Sequence, residues 1–192
     1  MLRTLALTVI CVAEACGQDA KPVIDNDRVT VWDVTGTNPA GHDRDVVVMR
    51  LTGAKAGTAS FSAKGSERNK PGGIGARSLI IELKDTVVPP IENKTGYPLA
   101  FPRPHVKKLL ENNRVIVWSY RWNPGEPTPV HFHDKDVVVV YLEDTALTST
   151  TPDGAKKLNE YKAFDVRFNK RDRTHTELLE HGTGSAMMME LK

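Results

Sequence analysis

The sequence predicts an all-β chain whose antiparallel strands form two similar barrel or jelly-roll lobes. Three observations carry that expectation. Short runs rich in valine, isoleucine, leucine and aromatic residues recur along the chain with almost no helical periodicity. Turn-forming pairs and triplets separate them: Asn38-Pro39, Pro71-Gly72-Gly73, Asn123-Pro124-Gly125 and Pro152-Asp153-Gly154. Several segments also occur twice, in the same order.

The opening residues differ from the rest. Met1-Leu2-Arg3 gives a short positive start, Thr4 to Ala13 is an apolar run too short to span a bilayer, and Ala13-Glu14-Ala15-Cys16-Gly17 is small-residue rich. Residues 1–17 are therefore expected to be a secretory signal peptide, which places the mature chain outside the cytoplasm, periplasmic or secreted. Both cysteines, Cys11 and Cys16, fall in this segment. Lipid attachment at Cys16 is the alternative, and Glu14 suits it poorly. Without cysteines the mature chain must be stabilised by its core, which 192 residues with 40% hydrophobic content permit. A net charge of +2 with scattered lysines and arginines offers nothing to nucleic acid or an anionic membrane.

Predicted strands follow in two sets. The first comprises Arg28 to Val34, Asp45 to Leu51, Thr58 to Ala63 and Ser78 to Leu83. The second comprises Arg114 to Trp122, Asp136 to Leu142, Phe164 to Phe168, Thr174 to Leu179 and Ala186 to Leu191. Between the sets, residues 87–105 hold five prolines and read as a connector packed over the surface. A helix is expected only over His105 to Glu111, where Val106, Leu109 and Leu110 make one apolar turn face.

The two sets are copies. Asp25-Asn26-Asp27-Arg28-Val29-Thr30-Val31-Trp32 matches Glu111-Asn112-Asn113-Arg114-Val115-Ile116-Val117-Trp118. His42-Asp43-Arg44-Asp45-Val46-Val47-Val48 matches His133-Asp134-Lys135-Asp136-Val137-Val138-Val139, and Ile81-Glu82-Leu83-Lys84 matches Met189-Glu190-Leu191-Lys192. The expected division is therefore a lobe at 22–86, the connector at 87–105 and a second lobe at 106–192.

Chemistry concentrates in the second lobe. On a strand, His131 and His133 project to the same face, with Asp136 close behind. Imidazoles paired on one face begin a metal site, and His175 is available from a distant strand. Glu177, two residues after His175, is a further carboxylate on that face. Trp118, Tyr120 and Trp122 share one strand face and read first as core; Tyr120 is also a candidate to line a substrate pocket. Arg121, Arg167, Arg171 and Arg173 read by default as solvent-facing, with Arg167 the best candidate to hold an anionic group of a substrate.

The fragment from Gly125 to His131-Phe132-His133, with an acid and an apolar strand behind it, resembles the first motif of the cupin superfamily. Phe164 to His175 resembles the second, and with the repeat the whole mature chain is similar to a bicupin. The resemblance implies duplicated cupin-like barrels and one divalent metal ion, Fe, Mn, Zn, Ni or Cu, held by His131, His133 and His175 with a carboxylate. The family's glutamate position is occupied by Val137 and Val138, so Asp136 or Glu177 would complete the set. The first lobe has Ala40 near where His131 would fall and retains only His42 and Asp45; it is expected to be structural, with that pair in a turn hydrogen bond.

No nucleophile elbow, phosphate-cradling glycine loop or CxxC pair is present, which removes hydrolase and nucleotide-binding readings. Three functions stay open. The chain is a metal-dependent oxygenase- or isomerase-type enzyme of a small polar organic molecule, a non-catalytic module that binds a small ligand or a partner, or a structural protein without metal. Pairing of barrel edges into a homodimer is a further expectation.

Overall fold

The computed structural model describes residues 21–36, 43–66, 75–86 and 88–192. The expected signal peptide, both cysteines, the turns at Asn38-Pro39 and Pro71-Gly72-Gly73, and Ala40 and His42 lie outside the described residues. Among the described residues every regular element is a strand. Among the described residues no helix is long and apolar enough to cross a membrane.

The repeated sequences fold into repeated sheets. In the first half, β1 (Ile24–Asp25), β2 (Val29–Thr35), β3 (Asp45–Arg50), β4 (Thr58–Ser62) and β5 (Arg77–Leu83) form one sheet in the order β1-β2-β5-β3-β4. The second half supplies β6 (Val106–Glu111), β7 (Val115–Arg121), β8 (His131–His133), β9 (Asp136–Tyr141), β10 (Thr145–Thr150), β11 (Lys156–Tyr161), β12 (Val166–Asn169), β13 (Arg173–Gly182) and β14 (Ser185–Leu191). Five of these form the sheet β6-β7-β14-β9-β12, the same order and the same antiparallel pairing as the first. Even the register is repeated: Val29 and Asp45 both face Leu83, as Val115 and Asp136 both face Leu191. The other four form a second sheet, β11-β10-β13-β8. Removing β8, β10, β11 and β13 from the second half leaves the first. The expected first barrel is thus, among the described residues, a single sheet.

This arrangement explains why β9 reads Asp-Val-Val-Val-Val-Tyr without alternation: both of its faces are covered. Val138 and Val140 join Val115, Val117, Met187 and Met189 against Val29, Val31, Val47, Met49 and Ile81, making the core between the two matching sheets. Val137, Val139 and Tyr141 turn the other way, into the barrel, with Trp118, Tyr120, Trp122, Leu147 and Leu179. Each such fully buried aliphatic side chain contributes about 1.5–3 kcal/mol relative to exposure.

The repeated polar residues clasp the halves together. Arg28 donates from Nη1 to Asp136 Oδ2 at 2.8 Å, and Arg114 donates from Nη1 to Asp45 Oδ2, also at 2.8 Å. Arg28 Nη2 reaches the Lys192 carbonyl and Arg114 Nη2 the Lys84 carbonyl. Lys84 N–H in turn donates to the Arg28 carbonyl, and Lys192 N–H to that of Arg114. Asn26 and Asn112 hold the turns by accepting two backbone N–H groups each, at Arg28 and Val29 and at Arg114 and Val115. Asp45 therefore works across the lobes as well as locally, where it accepts the Lys64 N–H.

Two expectations about local structure are corrected. Val106–Glu111 is strand β6 and not a helix: it pairs with β7, and a bulge between Lys108 and Leu110 lets both Leu109 and Leu110 pack against the core. One apolar turn face is a weak helix signal beside a strand edge that can be paired. The connector is also more than a surface strap. Ala100 N–H donates to the Phe132 carbonyl and Phe132 N–H to the Pro98 carbonyl, both at 2.8 Å, so the segment runs alongside β8 and sends Ala100 and Phe101 into the barrel core. Phe101 stacks on Trp118 at 5.5 Å.

Candidate metal centre

Pairing of β8 with β13 assembles the centre. His175 lies opposite His131, and Arg173 opposite His133, so strand alternation sets His131, His133, Arg173, His175 and Glu177 on one face. The three imidazoles lie with ring centroids 4.8–5.1 Å apart. One nitrogen from each falls within 4.8 Å of the others. His131, His133 and His175 are the trio the sequence predicts, and the structure brings them together.

Burial fixes their protonation. They are 2%, 6% and 8% exposed, and taking an imidazolium out of water is costly. Burial, reinforced by the Arg103 guanidinium and His175, pushes His131 down to about 3. Burial and Arg173 hold His133 well below its ordinary value, and burial lowers His175 against the opposing pull of Glu177. All three are neutral at pH 7 and keep lone pairs for a ligand. His131 Nδ1 is 2.8 Å from the Pro129 carbonyl, which assigns the proton to Nδ1 and the lone pair to Nε2. His133 Nε2 and His175 Nε2 face each other at 3.3 Å.

These donors fit a first-row divalent ion. His133 Nε2 and His175 Nε2, 3.3 Å apart, are close enough that both would hold one ion at an ordinary metal–nitrogen distance of about 2.0–2.1 Å. Three neutral imidazoles with a nearby carboxylate suit Fe, Mn, Zn, Ni or Cu. The backing of Nδ1 of His131 by a carbonyl is the kind of support metal-bound histidines receive.

Glu177 is the carboxylate nearest this trio among the sequence candidates. Its Oε1 lies 4.0 Å from His175 Nε2, and its Oε2 accepts the Trp122 indole N–H at 3.1 Å. Burial pushes its carboxyl up, but nearby positive charge, a protonated His175 first and the Arg103 guanidinium next, with the Trp122 indole N–H, outweighs that and holds it below the ordinary value; where His175 is neutral, Arg103 and the indole remain. Thr128 braces it, accepting the Glu177 N–H with its hydroxyl and donating its own N–H to the Glu177 carbonyl.

Asp136 and Arg167 are elsewhere. The stretch Gly125–Glu143 is two strands in two sheets: β8 belongs with β13, and the chain turns at Asp134-Lys135 before β9 enters the other sheet. Asp136 therefore accepts from Arg28 at Oδ2 and from the Arg171 N–H at Oδ1, away from the three imidazoles. Arg167 lies on β12, the outer strand of its sheet, half-exposed and paired with Asp165. Tyr120 does reach the centre, as a core ring carrying the guanidinium of Arg103, whose Cζ stands 4.1 Å from the ring centroid.

Arg103 is the residue that sequence reasoning missed, and Arg173 the one it left to solvent. Arg103 Nη1 lies 2.9 Å from His131 Nε2. Its flanking prolines, in Phe101-Pro102-Arg103-Pro104, were the available signal: a cation in a rigid, otherwise apolar stretch. Arg173, opposite His133, donates from Nε to the Lys170 carbonyl at 2.6 Å.

No protein-family profile matches the chain. The β-alanine degradation protein BauB of Pseudomonas aeruginosa is 42% identical over 60 residues, which is 31% of this chain; the chain spans 59% of that relative's length. A cupin 2 conserved barrel domain protein from Leptotrichia buccalis is similar in structure over 89% of this chain and 87% of its own, with TM-score 0.53 and 11% identity. Protein Ylba from E. coli is similar over 85% of this chain and 75% of its own, with TM-score 0.50 and 10% identity. At these identities the two solved structures speak to the fold alone. Strand order and these likenesses agree: the chain is an all-β protein with the cupin fold.

Proposed function

We propose that the chain is an exported metal-dependent protein that binds one divalent ion through His131, His133 and His175 and acts on a small polar organic molecule by oxygenase- or isomerase-type chemistry. The observation that carries this reading is the convergence of three buried, neutral imidazoles, one nitrogen of each within 4.8 Å of the others and those of His133 and His175 facing at 3.3 Å. Two lone pairs at 3.3 Å repel unless a proton or a cation stands between them, and an ion satisfies all three rings at once. The bound ion supplies a Lewis acid or an oxygen-binding centre. The chain's own residues set the rest: Pro129 orients His131, Thr128 and Trp122 hold Glu177, and Glu177 is a carboxylate placed to ligate or to accept a proton from a substrate. The name of the Pseudomonas relative concerns β-alanine degradation, and a small polar acid of that type suits this reading.

Elemental analysis of the purified mature protein tests it, beside a His131→Ala/His133→Ala variant. Near one ion per chain, lost in the variant, is expected. Sub-stoichiometric metal, equal in both, defeats the proposal. Metal retention without turnover of any small acid, with ligand binding intact, selects the non-catalytic binding module. N-terminal sequencing of protein recovered from the exported fraction checks the signal peptide, with cleavage expected near Gly17.

A further inference from the structure

The centre contains a buried cation with an orphaned donor. The Arg103 side chain is 5% exposed, and its Nε is buried without a partner. Of the five N–H donors a guanidinium carries, Nη1 is spent on His131 Nε2. Nη2 stands 3.7 Å from Glu177 Oε2, longer than a hydrogen bond. The guanidinium lies over Tyr120 and is 5.0 Å from the Phe101 ring centroid, so aromatic faces fix its plane while its edge lacks the forked acceptor it is shaped for.

His131 Nε2 is the same lone pair that an ion at the centre takes. An ion and the Arg103 bond to that nitrogen exclude one another, so loading the centre frees Nη1 as well. Arg103 and Arg173 against Glu177, with a divalent ion added, leave the loaded centre strongly positive. A cavity of about 400 Å³ lies next to this group, its wall formed not by Arg103, Glu177 or the imidazoles but by residues that touch them: Tyr120, whose ring lies under Arg103, Thr128, which bonds Glu177, and Pro129, which bonds His131, with His105, Asn123 and Glu126. That volume suits a molecule of a few heavy atoms to drug size at most.

We infer that Arg103 is the anchor for the carboxylate of a small organic ligand, held between the guanidinium and the ion at His131, His133 and His175. The inference rests on the metal reading above and names the ligand class for that site. The connector, by pairing with β8, is the element that delivers this specificity.

The test uses the full mature chain loaded with Zn²⁺, its metal content measured before any ligand is added. Isothermal titration with propionate is compared with propionamide, a neutral molecule of the same shape, for wild type, Arg103→Met and Arg103→Lys. Wild type is expected to prefer propionate, and Arg103→Met to lose roughly 10- to 100-fold in propionate affinity while its zinc content and propionamide binding stay unchanged. Arg103→Lys, which keeps the charge without the fork, is expected to fall between them. Equal propionate binding in zinc-loaded wild type and Arg103→Met, or no preference over the amide, overturns the anchor while leaving the metal reading intact. Absence of zinc in wild type overturns both, and shows before the first injection.

Discussion

The two halves of the chain hold equivalent ion pairs in different dielectric surroundings, and that permits an internal comparison. Arg28–Asp136 and Arg114–Asp45 have equal lengths of 2.8 Å and equivalent backbone partners, the Lys192 and Lys84 carbonyls. They differ in burial. The side chains of the first pair are each 9% exposed; those of the second are 30% and 19% exposed. Asp136→Ala strips the counter-ion from a buried guanidinium and the acceptor from the Arg171 N–H, and should cost about 3–5 kcal/mol. Asp45→Ala makes the chemically identical change where water reaches the guanidinium, and should cost about 1 kcal/mol. Equilibrium urea unfolding of both variants measures the two costs. Double-mutant cycles with Arg28→Met and Arg114→Met then isolate each pair from the loss of packing. Equal costs, or an Arg28–Asp136 coupling no larger than that of the exposed pair, would refute the argument that burial decides between the copies. Metal content serves as a second readout: because Asp136 is spent on Arg28 and Arg171, Asp136→Ala should keep the wild-type stoichiometry.

Two further outcomes follow from single residues. Burial raises the Glu190 carboxyl above its ordinary value of 4.5, only partly opposed by the Trp118 indole N–H at 2.9 Å. A raised acid favours the fold in its protonated form, so this contribution is present below the ordinary value and is lost as pH rises through the higher folded one. Glu190→Gln keeps an oxygen for the indole, and should unfold at a higher temperature than wild type at pH 7, with the advantage gone near pH 4; an equal advantage at both pH values would contradict the assignment. Gly182, at φ +91°, has no room for a side chain, since a Cβ there would collide with the Asp144 carbonyl. Gly182→Ala should destabilise by more than about 1 kcal/mol in urea unfolding, and a neutral result would show that the β10–β13 junction yields.

Much of the fold is legible in the residues because β-structure writes itself in short-range pattern. Runs such as Val46-Val47-Val48-Met49 and Ile80-Ile81, bounded by glycine and proline turns, announce buried strands whatever their partners are. The repeat announces matched sheets, and an ungapped alignment carries register with it, which is why Asp45 and Asp136 take equivalent places. The spacing of His131 and His133 is sufficient to put two imidazoles on one face, since a strand has period two. Less was legible for weak runs: β10 and β11 carry threonines and lysines around the Pro152-Asp153-Gly154 turn, and such a hairpin is stabilised by its neighbours more than by its own pattern.

By itself, then, the sequence determined the strand-forming segments, the duplication and the three histidines, because each depends on side-chain type and near-neighbour spacing. Only the tertiary structure decided what surrounds them. Pairing of β8 with β13 and of β9 with β14 sends Asp136 to a different sheet from His133, three residues before it in the chain. The same pairing sets Arg173 opposite His133, while the connector's bonds to Phe132 carry Arg103 to His131. Those contacts join residues far apart along the chain, or part residues close along it, and no local periodicity records which sheet a strand will enter.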